Sequence, residues 1–144
     1  MFHISSDADI ERIGRGLIDR SLPKAEWTHA AHFAAAFWLL RDPERDALRD
    51  MPGFIRAYNE ATATPNTDTG GYHETITLAS LRAARAWLTA RPHSSLHAAL
   101  EELLASSFGR SDWLLSYWSR PVLFSVTARR TWVEPDVKPL PFSE

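Results

Sequence analysis

Apolar positions near the start of the chain recur at helical spacing, with Ile10, Ile13, Leu17 and Ile18 at i, i+3, i+7 and i+8 behind a Ser6 or Asp7 cap. The spacing predicts an amphipathic helix over 7–20. After Ser21-Leu22-Pro23 comes a second helix, whose stretch from Ala30 to Leu40 is apolar on every side apart from His32. A helix without a polar face must be enclosed by others, so this one is expected at the centre. Asp42-Pro43 ends it and restarts the chain with Pro in a first helical turn, giving a segment to about Thr62 that is interrupted or bent at Pro52-Gly53. The stretch from Ala61 to Gly71, rich in Thr and carrying Pro65, Asn66, Asp68, Gly70 and Gly71, reads as a loop.

Ile76, Leu78, Leu81, Ala84, Trp87 and Leu88 then mark a helix of about 73–90, closed by Arg91-Pro92. A further helix runs from a Ser94 or Ser95 cap through Leu96, Leu100, Leu103 and Leu104, and Gly109 terminates it. Asp112 to Arg130 also has helical character, broken by Pro121. From Trp132, the prolines at 135, 139 and 141 exclude regular helix, and the apolar Val137, Leu140 and Phe142 suggest an extended segment lying on the rest. The expected fold is all-α: an irregular compact bundle of about six helices with an extended Pro-rich C-terminal tail, forming one domain over 1–144.

Composition narrows the chemistry. The chain has 144 residues, 44% of them hydrophobic, which suffices for one core without a covalent staple. It contains no cysteine, so thiolate nucleophiles and thiolate metal sites are out, and any metal would rest on His, carboxylate or water. A formal net charge of −2 gives no basic footprint for nucleic acid. The longest apolar run, Phe33 to Leu40, is eight residues, against the roughly 20 needed to span a bilayer. The start lacks the cationic and apolar regions of a signal peptide, so the expected location is the cytoplasm, with no membrane partner.

Six His and six Trp remain to be explained. His29 and His32 sit at i and i+3 on the apolar helix, where side chains share a face, and two imidazoles can converge on one ion. His73, in Gly70-Gly71-Tyr72-His73-Glu74-Thr75, is the expected third ligand, because two glycines allow close approach and a helix start directs the ring. A His29/His32/His73 site would hold a single divalent metal, Zn, Ni, Fe or Mn. Glu74 would handle protons beside it, and Tyr72 would donate a proton or hydrogen bond. The bland alternative for each histidine is a satisfied core imidazole, one nitrogen donating to a backbone carbonyl and the other accepting.

Glu26-Trp27-Thr28-His29 fits the Glu-x-x-His half-motif of di-iron bundles, but no second copy exists, so Glu26 is expected to cap or orient the second helix. No nucleotide-binding glycine loop and no Gly-x-Ser-x-Gly elbow occurs. Near the C-terminus, Tyr117, Trp118 and Arg120 are the candidates for binding a substrate, since a guanidinium between rings suits a carboxylate or phosphate. Packing aromatics, with arginines snorkelling or paired to Glu134 and Asp136, is the alternative.

Trp27-Thr28-His29-x-x-His32, Gly71-Tyr72-His73-Glu74-Thr75-x-Thr77 and Tyr117-Trp118-Ser119-Arg120 together resemble a set of short uncharacterised bacterial proteins. The resemblance implies a compact single-domain protein and carries no activity with it. Three functional expectations stand. The first is a metal-dependent enzyme acting on a small polar substrate. The second is a non-catalytic module that binds a small organic acid or other polar ligand in the same His/Trp/Arg pocket. The third is a structural or interaction homodimer built on exposed aromatics.

Overall fold

Each main helix begins where a side chain can take up a free backbone N–H. In the computed structural model, which describes residues 3–142, Ser6 caps α1 (Asp7–Asp19) and Thr28 caps α2 (His29–Arg41). Asp46 caps α3 (Ala47–Ala61), and the His73 ring caps α4 (Glu74–Thr89). Ser95 caps α5 (Leu96–Ala105). After α5, the described residues form two further short helices, α6 (Arg120–Leu123) and α7 (Val126–Arg130). Single 3₁₀ turns at Lys24–Glu26, Ser107–Gly109 and Trp113–Ser116 supply corners, and no strand occurs among the described residues.

The all-α expectation therefore holds: the described residues form seven helices, in keeping with a bundle of about six. Two local expectations give way. Pro43 does not open a helix: Asp42 accepts the Glu44 N–H and closes a turn, and α3 starts only after Asp46. Nor does Pro52-Gly53 interrupt α3, which runs through both residues. Pro52 lies in its second turn, where the missing N–H deprives only the Leu48 carbonyl. Asp112 to Arg130 is less regular than its spacing suggests, because Ser119 and Ser125 are extended and each restarts the chain.

The apolar α2 is the hub, packed against α1, α3, α4 and α5. Ala31, Phe33, Ala34, Ala35, Ala36, Phe37 and Leu39 are all buried on it. Around them lie Ile10, Ile13 and Leu17 of α1, Met51, Ile55 and Tyr58 of α3, Leu81, Ala84 and Leu88 of α4, and Leu100 and Leu103 of α5. A second apolar cluster occupies the opposite face of α4: Ala79 and Ala83 meet Trp113, Leu114, Trp118 and Leu123, with Leu140 and Phe142 of the tail on its rim. Phe108 touches both clusters. α4 is thus the partition between a helical core and an irregular C-terminal layer.

The tail from Trp132 to Phe142 has no helix or strand, with bends at 136–138 and 141–142, and is fastened to the C-terminal layer. Val137 N–H donates to the Tyr117 carbonyl at 2.9 Å, and Trp118 Nε1–H to the Val133 carbonyl at 2.9 Å. Asp136 accepts both the N–H and the hydroxyl of Ser119. Among the described residues, no helix is long and apolar enough to cross a membrane.

α1 and α2 approach closely at Gly14, where a Cβ would fall 2.1 Å from Cε3 of Trp38 on α2. Gly14→Ala is expected to force α1 off the hub at a cost of about 1–3 kcal/mol. That corresponds to a thermal midpoint lower by roughly 3–10 °C, measurable by circular dichroism. Gly53→Ala, where a Cβ meets nothing within 4 Å, is the control expected to leave the midpoint unchanged or slightly raised.

Candidate functional site

A cleft of about 470 Å³ opens along the seam between the two apolar clusters. One wall is the first turn of α2, which contributes His29, His32 and Phe33. Ile76 and Ser80, one turn apart on α4, line another part of it. The C-terminal layer completes it with Ser111, Asp112, Trp113, Leu114 and Leu115, and with Arg120, Leu123 and Phe124. The lining is mainly apolar, with a few polar groups, and its size is within the range of small-molecule sites.

Both cleft histidines have one nitrogen committed to a backbone carbonyl. His32 Nδ1 is 2.7 Å from the Thr28 carbonyl, and His29 Nε2 is 2.8 Å from that of Phe108. A carbonyl only accepts, so each of these nitrogens carries the proton. In the neutral ring the second nitrogen, Nε2 in His32 and Nδ1 in His29, is then a lone-pair acceptor. The His32 ring stacks on Trp27 with centroids 3.8 Å apart. Burial pushes its pKa down to about 4, neighbouring His29 acts in the same direction, and the Thr28 carbonyl opposes both. His32 is therefore neutral at pH 7.

His73 is placed differently. Its Nδ1 accepts the Ile76 N–H at 3.2 Å, capping α4, while Nε2–H donates to the Leu123 carbonyl at 2.7 Å. Both nitrogens are occupied, and the ring ties α4 to α6 behind the cleft wall that Leu123 forms. Burial also lowers its pKa, with the positive charge of Arg129 acting in the same direction. The geometry thus joins His29 and His32 in one cleft and leaves His73 as a clamp. Among the described residues, no group of three or more His, Asp or Glu side chains is arranged to hold a metal ion.

Tyr72 and Glu74 also lie outside the cleft lining. The Tyr72 hydroxyl donates to Glu74 Oε1, and burial and this bond together raise the tyrosine pKa. Gly71, with φ +76°, shapes the turn before them: a Cβ there would stand 2.4 Å from the Pro65 carbonyl. Gly70 has no such constraint.

Of the three C-terminal candidates, only Arg120 lines the cleft. Its guanidinium has no hydrogen bond or ion pair with any described residue, so its donors are available. Trp118 is fully buried and bonded to Val133. The Tyr117 ring packs edge-on to Trp113 and lies 5.2 Å from Lys138 Nζ. Glu26 accepts from Arg12 at 2.8 Å, tying α1 to the turn before α2, while Thr28 does the capping. Arg130 pairs with Asp68, and Glu134 accepts the Trp132 Nε1–H. The exposed large hydrophobic residues among those described are Phe124, Val126 and Val137, with no Trp or Tyr.

Sequence reasoning grouped Trp113 and Phe124 with Arg120, and the cleft lining joins all three, but it missed Ser80, Ser111 and Asp112. Ser80 carried a signal, as a lone polar side chain on an otherwise apolar face of α4. No protein family, curated protein or solved structure matches the chain.

The depressed histidines predict a pH dependence of stability. Between pH 6.5 and about 4 the unfolded chain protonates His32 and the folded chain does not. Stability is therefore complete above about pH 6.5 and falls as pH drops through that window, by about 3 kcal/mol for His32 alone, with His73 adding in the same direction. Urea unfolding at pH 7.5 and pH 4.5 should show a smaller loss in His32→Gln than in wild type.

Proposed function

We propose that this protein is a small-molecule-binding module whose cleft takes a small organic acid that also carries a hydroxyl or N–H. The observation that carries this reading is the pairing, in one apolar cleft, of an unengaged Arg120 guanidinium with two imidazoles fixed as acceptors. Arg120 suits the carboxylate by two parallel N–H···O bonds. The lone pairs of His29 and His32 suit the hydroxyl or N–H, and Phe33, Ile76, Trp113 and Phe124 suit an apolar body. The first turn of α2 adds partial positive charge at the same end. Asp112, which also lines the cleft, is paired with Arg110 at 3.2 Å and repels an incoming carboxylate less than a free acid would.

A metal-dependent enzyme is the second reading, favoured by one observation. Anchoring one imidazole N–H on a carbonyl is how histidine ligands to metals are commonly oriented, and His29 and His32 both have it. Two histidines fall short of a protein-built site, so a single Zn, Ni, Fe or Mn ion would need oxygen donors from a bound acid and water. Calorimetric titration with Zn²⁺ alone, and again with 4-hydroxybenzoate present, tests it. Uptake of one ion per chain that disappears in His32→Ala supports this reading, and no uptake in either titration rejects it.

For the binding module, tryptophan fluorescence should respond saturably to 4-hydroxybenzoate, with benzoate weaker because it offers no donor to the imidazoles. Arg120→Ala should weaken binding by about tenfold, the value of one charge-assisted contact at an exposed site. Equal affinity in wild type and Arg120→Ala would remove Arg120 from the site, and no response to either acid would reject the proposal.

A further inference from the structure

A second hollow, of about 210 Å³, lies where the loop between α3 and α4 meets α7. The loop is held by its own side chains. Asn66 Oδ1 accepts from Asn59 Nδ2 and from the Tyr72 N–H, both at 3.0 Å, while Asn66 Nδ2 donates to the Arg56 carbonyl at 3.1 Å. Thr67 Oγ1 accepts the Gly70 N–H at 3.1 Å. This fixed loop faces three arginines from two helices: Arg56 of α3, and Arg129 and Arg130 of α7.

Their charges are unequally compensated. Arg130 is neutralised by Asp68 through two bonds of 2.8 and 2.7 Å. Arg56 lies over the Tyr72 ring, 4.4 Å from its centroid, with no carboxylate partner among the described residues. Arg129 spends Nη1 on the Gly71 and Tyr72 carbonyls, at 3.0 and 3.2 Å, and likewise has no carboxylate. Three guanidiniums against Asp68 alone leave the hollow two positive charges in excess. Glu74, the acid bonded to Tyr72, does not line it.

We infer that this hollow binds a phosphoryl group, either as free phosphate or as the phosphomonoester of a larger metabolite. A phosphate dianion matches the excess of two positive charges, whereas a carboxylate would leave one uncompensated. Guanidinium groups on separate helices can each donate to different oxygens of a tetrahedral anion. The loop and the carbonyl bonds of Arg129 hold two sides of the hollow in place before the anion arrives, which reduces the ordering cost of binding.

Titration at pH 7.5 with inorganic phosphate, glycerol 3-phosphate and acetate, at matched ionic strength, tests the inference by calorimetry and thermal unfolding. Phosphate or glycerol 3-phosphate at about ten times its Kd should raise the unfolding midpoint by roughly 3–5 °C, with acetate inert. Tighter binding of glycerol 3-phosphate assigns the site to a phosphomonoester, and tighter binding of phosphate assigns it to the free ion. Arg56→Gln, which leaves the Arg129 bonds intact and should fold, is expected to weaken binding by about tenfold. Stabilisation by acetate equal to that by phosphate, unchanged affinity in Arg56→Gln, or no binding of either phosphate would overturn the inference.

Discussion

The first turn of α4 is the constraint on which the rest of the structure depends. His73 uses one nitrogen to start that helix and the other to hold the Leu123 carbonyl. Two residues on, the fully buried Thr75 hydroxyl lies 2.7 Å from the Ala128 carbonyl and 2.8 Å from that of Thr131, and accepts the Val133 N–H at 3.2 Å. α6 and α7 have four and five residues. Helices that short do not persist alone, because the cost of nucleating them exceeds the few bonds they form. Their shape is imposed by these bonds and by the apolar cluster beneath.

The cleft is a consequence of that arrangement. α2 is rigid because it is buried almost all round, and its first turn presents His29 and His32. The opposing wall exists because α4 holds the C-terminal layer against its second face. Each imidazole involved is satisfied on one side by a carbonyl, so the buried rings do not incur the about 1–3 kcal/mol of an unmet polar group there. His73 meets this requirement fully, and the two cleft histidines only by half. That difference separates a structural imidazole from one available to a ligand.

How legible this was in the sequence depended on how local each signal was. α1 and α5 follow from apolar spacing and a capping side chain, α4 from apolar spacing alone, and α2's central place from its lack of a polar face. The turn at Asp42 and the continuity of α3 across Pro52 depend on which single N–H or C=O goes unpaired, a matter that composition does not resolve. Pairing His29 with His32 was readable because three residues along a helix is a fixed geometry. Bringing in Arg120 rested on residue chemistry, and its place opposite those histidines depends on contacts some ninety residues distant. The satisfied imidazole weighed as the alternative for each histidine is what His73 is; its partner was hidden, because Leu123 lies fifty residues away and a carbonyl acceptor leaves no mark on residue type.

Amide hydrogen exchange of Thr75→Val tests the central claim most directly, since valine keeps the volume and removes the hydroxyl. Faster exchange is expected to be confined to about residues 113–137, with α1, α2, α3 and α5 as protected as in wild type. Unchanged protection of the C-terminal layer, or an equal loss across all helices, would contradict the view that the start of α4 is what holds that layer and the cleft wall in place.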